Sequence, residues 1–456
     1  MDIQQALDYI YSFIDYERQA RPREPARYDL RRVDELLSRL GNPHLKARTV
    51  HIAGSKGKGS TAAMIASALT ASGYTTGLYT SPHLHTFNER IRIDNRLISD
   101  QDIVALVEKL KPEVEAVNKK AAYGQLTTFE LITALGFACF DSKGVDFQVI
   151  EAGLGGRLDA TNVVQPEVCV ITSISFDHTE VLGNTLTAIA TEKAGIIKAN
   201  TIVVTSSQAE EVNQVFEQTC LRQKAKWIKV GRDVTWQSLG FNSRRQSLQV
   251  KGRLGSYELS IPLLGEHQME NAATAVASLE VLAENGSHIS GDNISRGLTE
   301  VNWPGRLQVL NRHPLVVVDG AHNPDSARKL RKALKQYFDF DRAILIIGFS
   351  SDKDFAGILS ELLPLFDEVI VTHSIHPRAM PIASLVAELR QQGVEAQAID
   401  DISTALPLAL SQAEKKDLIC VTGSLFVVAG AIEQAKHLNL IEWPIQFNQP
   451  DGELNG

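Results

Sequence analysis

The residues whose types and spacing could do chemistry form the run Gly54-Ser55-Lys56-Gly57-Lys58-Gly59-Ser60. A β-branched stretch, Thr49 to Ala53, precedes it and an Ala-rich stretch, Thr61 to Ala71, follows, which predicts a strand–loop–helix unit. Glycines let successive backbone N–H groups converge on an oxyanion, and the helix N-terminus adds partial positive charge. Lys58 suits the β- and γ-phosphates of a nucleotide, and a Ser60 or Thr61 hydroxyl suits a metal ion. The spacing is irregular, because Gly59 separates Lys58 from Ser60 and Ala53 stands near where a first glycine is expected. A basic surface turn is the alternative, but such a turn rarely sits between a buried strand and an Ala-rich helix. Lys56 is either a further phosphate contact or a solvated side chain.

A loop of this kind needs a sheet behind it. Short β-branched runs recur at Phe147 to Ala152, Val168 to Ile174 and Thr201 to Thr205, alternating with longer amphipathic stretches. That texture predicts an α/β fold with a mostly parallel sheet and helices on both faces. Trp227 to Leu264 alternates and carries Gly, Asn and Ser turns, which predicts a small antiparallel excursion. A helix is expected from Met269 to Glu284, and Asn302-Trp303-Pro304-Gly305-Arg306 interrupts any regular element. Buried strands are expected again at Leu315 to Val318, Ala343 to Ile347, Glu368 to Thr372 and Asp417 to Val421. The expected division is an ATPase-like domain over 1–310 and a smaller Rossmann-like domain over 311–456. Residues 447–456 read as a loose tail.

With 456 residues, two domains are the natural expectation. A formal charge of −8 argues against broad adhesion to nucleic acid or an anionic membrane, though not against a local basic pocket. Cys139, Cys169, Cys220 and Cys420 are scattered in apolar stretches without CxxC spacing, as expected of buried free thiols in a reducing compartment. The first residues lack the basic-then-apolar order of a signal peptide, and no stretch is apolar for long enough to span a bilayer. A cytoplasmic protein is expected, and a monomer, since no oligomerisation feature stands out.

The loop, followed by Tyr79-Thr80-Ser81-Pro82-His83-Leu84 and Phe87-Asn88-Glu89-Arg90-Ile91, resembles the folylpolyglutamate synthase/dihydrofolate synthase family, a branch of the Mur ligases. Further segments agree in order: Glu151 to Asn162, Asp177-His178-Thr179, Glu192-Lys193-Ala194-Gly195-Ile196, His267 to Asn271, Trp303 to Arg306 and Asp319 to Pro324. The resemblance runs from about Tyr28 to Ser424. It implies an ATP-dependent ligase that joins L-glutamate to dihydropteroate, to a reduced folate or to both, through an acyl phosphate. A carboxylate is a poor electrophile until phosphorylated, so the enzyme must gather several anions and neutralise the migrating phosphoryl group.

By resemblance, Ser81, Glu151 and His178, with Ser60, hold Mg²⁺, as one ion or two; a monovalent cation is also compatible. Lys193 matches a lysine that is carbamylated to N6-carboxylysine; read alone, it is a helix-surface lysine beside Glu192. Asn271 matches an adenine-side contact and Arg306 a phosphate contact. Asp319 and His322 follow a strand end, where open α/β sheets bind ligands, and match the second domain's contribution to ATP and glutamate. Lys58, Lys193 and His322 are the expected catalytic residues, and Ser424 is a further glutamate-site candidate. Tyr28, Asp29, Leu30, Thr128, Phe129, Leu158, Asp159 and Ala160 match the parts that line a pterin pocket.

A ligase of peptidoglycan precursors, a cyanophycin-synthetase-like ligase and a nucleotide-binding regulator are the competing readings. The loop begins too early for the extra N-terminal domain expected of the first. The apparent metal set and the strand-end motifs of the second domain speak against the last.

Overall fold

The phosphate-loop helix, Lys58–Ala71, is buried along almost its whole length, and this fixes how the first sheet is built. The computed structural model describes residues 1–17, 28–351, 353–374 and 376–440. The tail expected at 447–456 lies outside the described residues.

Eight strands form the first sheet: β1 (Arg48–Ala53), β2 (Thr76–Tyr79), β3 (Ile91–Ile93), β4 (Arg96–Leu97), β5 (Phe147–Glu151), β6 (Val168–Ile171), β7 (Ile202–Thr205) and β8 (Lys226–Lys229). Their order is β4-β3-β2-β5-β1-β6-β7-β8, parallel except for β3 and β4. β1 lies between β5 and β6, so the loop leaving it opens among the carboxyl ends of central strands, where such sheets bind ligands. Apolar clusters cover both faces. One joins Lys58–Ala71 to helix Glu266–Glu284, and the other joins helices Leu30–Arg39, Asp100–Lys120 and Thr128–Lys143. Helix Lys58–Ala71 is apolar all round because it is covered on all sides.

Strands β9 (Thr235–Phe241), β10 (Gln246–Lys251) and β11 (Ser256–Ile261) make the antiparallel excursion. It begins later than the sequence pattern suggests. Trp227 belongs to β8, which pairs in parallel with β7 and completes the main sheet, while Trp227 Nε1 donates to Thr205 Oγ1 at 3.0 Å. An edge strand with one covered face alternates just as an antiparallel strand does, so the sequence does not separate them.

The second sheet holds β12 (Gln308–Arg312), β13 (Leu315–Val318), β14 (Ala343–Ile347), β15 (Glu368–Val371), β16 (Gln397–Ala398) and β17 (Leu418–Thr422), in the order β12-β13-β17-β14-β15-β16. All its pairings are parallel except β12 with β13. Leu310, the expected division point, lies inside β12, at the bulge in its pairing with β13. The two sheets' bodies touch away from the cleft as well: Tyr337 Oη donates to Gln246 Oε1 at 2.6 Å, and the Tyr337 and Phe241 rings stand 4.5 Å apart.

Helix Gly291–Glu300 crosses Lys58–Ala71 at a glycine. A Cβ on Gly297 would lie 2.4 Å from the Ala68 Cα, and the Gly297 carbonyl accepts from Ser67 Oγ at 2.7 Å. Replacing Gly297 with Ala should therefore force the helices apart and cost about 1–3 kcal/mol, as overpacking does. Denaturant unfolding monitored by circular dichroism measures it; an unchanged midpoint would show that the crossing is loose.

Candidate active site

The turn between β1 and its helix is shaped by what surrounds it. Ser55 and Lys56 donate their backbone N–H groups to the Ser173 carbonyl, at 2.9 and 3.2 Å, and Ser55 Oγ donates to the Ser175 carbonyl. These bonds pin the loop to the segment after β6 and take two N–H groups away from any ligand. The helix then begins at Lys58 behind an N-cap, Gly57, that makes no side-chain capping bond. Its first-turn N–H groups, those of Lys58, Gly59 and Ser60, have no helical carbonyl to meet and face the cleft as an anion site.

Space is short here. A Cβ on Gly57, which has φ +90°, would stand 2.4 Å from Asn271 Oδ1, and one on Gly59 would stand 2.8 Å from the Trp303 ring. The inserted Gly59 thus has a physical reason: the indole of Trp303 lies against the loop, with the Arg92 guanidinium 5.0 Å from its ring centre.

One cavity of about 410 Å³ runs from this loop to the carboxyl ends of the second sheet. On its wall stand Ser55, Lys56, Gly57, Lys58, Gly59, Ser60, Ser81, Glu151, His178, Asn271, Arg306, Asp319, His322 and Ser424. Tyr28, Phe129, Leu158, Asp159 and Ala160 line its other end. Three residues expected at the pterin end are not on the wall. Asp29 caps helix Leu30–Arg39 and pairs with Arg31, Leu30 opens that helix, and Thr128 Oγ1 is spent on the Ile10 and Phe13 carbonyls. Asp159 reaches the wall but is committed to the backbone N–H groups of Leu154 and Thr161.

Glu151, at the end of β5, is buried, and burial raises its carboxyl pKa against the opposing pull of Lys58. Its partners are distant: Lys58 Nζ at 3.8 Å and the Ser81 N–H at 3.4 Å. A buried carboxylate so thinly compensated suits a hard cation held together with the Ser81 hydroxyl. His178 opens a short helix and stands 3.8 Å from Asp177, on the same cavity wall. Among the described residues no group of three or more His, Cys, Asp and Glu is assembled to hold a metal by itself. The Glu151 carboxylate and the Ser60 and Ser81 hydroxyls on the wall are hard oxygen donors, the type that suits Mg²⁺ bound together with substrate phosphates.

Lys193 lies behind the wall. Its Nζ donates to the Gly54 carbonyl at 2.9 Å, and its side chain is buried. Burial first, and then the neighbouring Lys58, lower its pKa to about 7. Lys56 spans the cleft, with Nζ 2.9 Å from Asp177 Oδ2 and 2.8 Å from His322 Nε2. Burial lowers the Lys56 pKa to about 8 although Asp177 opposes it. Burial also holds His322 well below the usual histidine range, with Lys56 adding to the effect. Asp319 accepts from the Leu307 and Ala321 N–H groups at 2.8 and 2.9 Å, so it shapes the turn that carries Arg306. Burial raises the Asp319 pKa, and Arg306 offsets part of that rise.

Sequence reasoning assigned no role to several wall residues: Asp177, Lys353, His376 and Arg378 in the cleft, and Arg32 and Arg90 near the pterin end. Lys353 follows β14, while His376 and Arg378 follow β15, so the strand-end rule that selected Asp319 and His322 could have found them.

Two family models match the chain: the Mur ligase middle domain over residues 52–279 and the Mur ligase glutamate ligase domain over 305–425. The chain is 37% identical to the dihydrofolate synthase/folylpolyglutamate synthase of Bacillus subtilis, covering 89% of this chain and 95% of that protein. A Mycobacterium tuberculosis folylpolyglutamate synthase solved with ADP and AMPPCP superposes with a TM-score of 0.86 at 34% identity, covering 96% of this chain and 99% of that one. An FPGS–AMPPCP–folate complex superposes with a TM-score of 0.82 at 34% identity, over 96% of this chain and all of the other.

The contact at Gly59 gives a direct test. Gly59→Ala should displace Trp303 or the helix start and weaken ATP binding about tenfold, or about 1.4 kcal/mol, with little loss of fold stability. Isothermal calorimetry with a non-hydrolysable ATP analogue reads the affinity; unchanged binding would mean that the indole yields freely.

Proposed function

The chain belongs to the Mur ligase family and, within it, to the dihydrofolate synthase/folylpolyglutamate synthase branch, and on that footing we propose that it joins L-glutamate to a folate-type carboxylate at the expense of ATP. The observation that carries this reading is one cavity whose wall holds an uncapped helix N-terminus with Lys58 together with His322 and Ser424 of the second sheet's turns and the ring of Phe129. Both reduced folates and dihydropteroate are taken as acceptors. The chain is read as two units that divide in the irregular segment 301–307, each contributing strand-end residues to the cleft. For localisation, the described residues include no helix long and apolar enough to cross a membrane.

The chemistry follows from charge. The acceptor carboxylate attacks the γ-phosphorus of ATP, forming an O–P bond as ADP leaves, and so becomes an acyl phosphate. The glutamate amine then adds to the acyl carbon, loses a proton, and expels phosphate from the tetrahedral intermediate. Lys58 and the first-turn N–H groups neutralise the transferring phosphoryl group, and Arg306 adds a second cation from the other side of the cleft. Ser60, Ser81, Glu151 and His178 would hold Mg²⁺, which supplies charge neutralisation on the phosphate oxygens when bound. Asn271 flanks the loop on its adenine side. His322 and Ser424 bound the glutamate end, and Tyr28 and Phe129 offer rings to a pterin.

Purified protein given ATP, Mg²⁺ and glutamate should release phosphate only when dihydropteroate or tetrahydrofolate is added. Lys58→Ala should lower kcat about 10²–10³-fold, in line with the loss of one transition-state donor. Phosphate release supported by a muramyl nucleotide but by neither folate-type acceptor would refute the assignment.

We also propose that Lys193 takes up CO₂. A buried amine with a pKa of about 7 has a substantial neutral fraction near pH 7, as attack on CO₂ requires. The new N–C bond forms as the nitrogen gives up a proton, and the remaining N–H can still meet the Gly54 carbonyl. The resulting anion would sit near Lys58. Because the reactive form is the neutral amine, CO₂ uptake should rise about tenfold from about pH 6 to about pH 8 and then level off. Intact-mass analysis in bicarbonate buffer should show one added CO₂ that Lys193→Ala lacks; full turnover by Lys193→Ala would sink the role.

A further inference from the structure

Lys56 is the one residue of the phosphate loop that the ligase chemistry leaves without a task. It belongs to the first sheet's loop, yet one of the two hydrogen-bond partners of its Nζ, His322, comes from the second sheet. The geometry defines the state of His322. Its Nδ1 lies 2.7 Å from the Gly320 carbonyl, an acceptor only, so Nδ1 carries the hydrogen. The Nε2 lone pair then accepts from the Lys56 ammonium at 2.8 Å.

Asp177 completes the bridge. Its Oδ2 accepts from Lys56, while its Oδ1 lies 3.9 Å from Nζ of Lys353, which follows β14 of the second sheet. One carboxylate of the first sheet is thereby shared between an ammonium from each side of the cleft. The same segment makes a further crossing, with Asn323 Nδ2 donating to the Phe176 carbonyl at 3.1 Å. Thus the loop 173–178, which the phosphate loop already holds through Ser173 and Ser175, docks on the turn 320–323. A phosphate-binding role would instead have the ammonium turned toward the first-turn N–H groups. It is turned to the carboxylate and the imidazole.

We infer that Lys56 is a positioning residue that ties the phosphate loop to His322 and thereby sets the glutamate end of the site. The inference rests on the ligase reading above and deepens it. A lysine here links occupancy of the nucleotide end to the placement of the amine-accepting end, through two contacts under 3 Å.

The test is steady-state kinetics of Lys56→Met, with glutamate and ATP each varied, beside His322→Ala and the double variant. Lys56→Met should raise the KM for glutamate about tenfold and leave the KM for ATP within about threefold. Adding it to His322→Ala should cost little more than His322→Ala alone, because one interaction is being removed twice. Lys56→Arg, which keeps charge and donors, should restore part of the loss. Lys56→Gln serves if Lys56→Met does not fold, and thermal melting of each variant checks this. A rise in the ATP KM with the glutamate KM unmoved would make Lys56 a phosphate contact and overturn the inference. Fully multiplicative losses with His322→Ala, or no change at all, would also overturn it. Wild-type protein lacking glutamate-dependent phosphate release would instead condemn the ligase reading, so the two failures are distinguishable.

Discussion

The close fit of the phosphate loop is the constraint from which the rest of the site follows. Asn271 stands against Gly57, Trp303 against Gly59, and Thr172 against Gly54, each nearer than a Cβ would permit. The three neighbours come from three places: the helix Glu266–Glu284, the irregular segment before β12, and the residue after β6. A loop wedged among them is a fixed concavity, so its donors need little reorganisation when a polyphosphate arrives. Preorganisation of this sort is the largest lever available to a phosphoryl-transfer site. It also explains why Lys58–Ala71 must be an apolar, Ala-rich helix. Only small side chains let helices Glu266–Glu284 and Gly291–Glu300 approach closely enough to keep Asn271 and Trp303 in contact with the loop.

The cations of the cleft gather at the phosphate loop. Lys56, Lys58, Arg306 and Lys353 stand on its wall with Lys193 just behind, among carboxylates that include Glu151, Asp159, Asp177, Glu270 and Asp319. Burial acts on both signs: it lowers the lysines Lys56 and Lys193 and raises Glu151 and Asp319. Asp177 goes the other way, because although burial alone would raise it, Lys56 and the other neighbouring bases outweigh that and hold it well below the usual carboxylate range. It is the carboxylate fully paid for by local cations. Glu151, by contrast, keeps unspent demand for positive charge, which fits its expected work with a metal ion.

Much of this was legible in the sequence, for reasons that differ from residue to residue. Buried strands such as Leu315–Val318 and Ala343–Ile347 are continuous apolar runs, and parallel sheets covered on both faces write themselves that way. The phosphate loop announces itself through glycine and lysine spacing. Trp227 misled because the covered edge of a parallel sheet and an antiparallel ribbon share one alternation. Asp29 and Thr128 lie beside wall residues in the chain, but capping and backbone hydrogen bonds turn them away, and no pattern in a single sequence records that turn. Lys353 and Arg378 follow strands that the sequence pattern does predict, so the strand-end rule applied to Asp319 reaches them too; what the pattern does not record is the order β12-β13-β17-β14-β15-β16, which brings those ends to one cleft.

That order also says why the chemistry is divided between two sheets. A ligase of this type must hold a nucleotide firmly while admitting a small amino acid and a long acceptor in sequence. A single rigid pocket would have to choose between grip and access. On the reading proposed above, the first sheet, whose loop is locked by Thr172, Asn271 and Trp303, would grip the nucleotide, and the second, whose turns carry Arg306, His322 and Ser424, would admit the amino acid. Elsewhere the two bodies are joined by the Tyr337–Gln246 hydrogen bond, by the contact of Tyr337 with the half-exposed Phe241 ring, and by the pairs Lys332–Glu266 and His85–Glu433. Across the cleft they are joined by charge, through Lys56, Asp177 and Lys353. The hydrogen bond and ring contact at Tyr337 do not involve the cleft residues, whereas the Lys56–Asp177–Lys353 bridge consists of them, so the charge of a polyphosphate in the cleft bears first on the contacts that cross it.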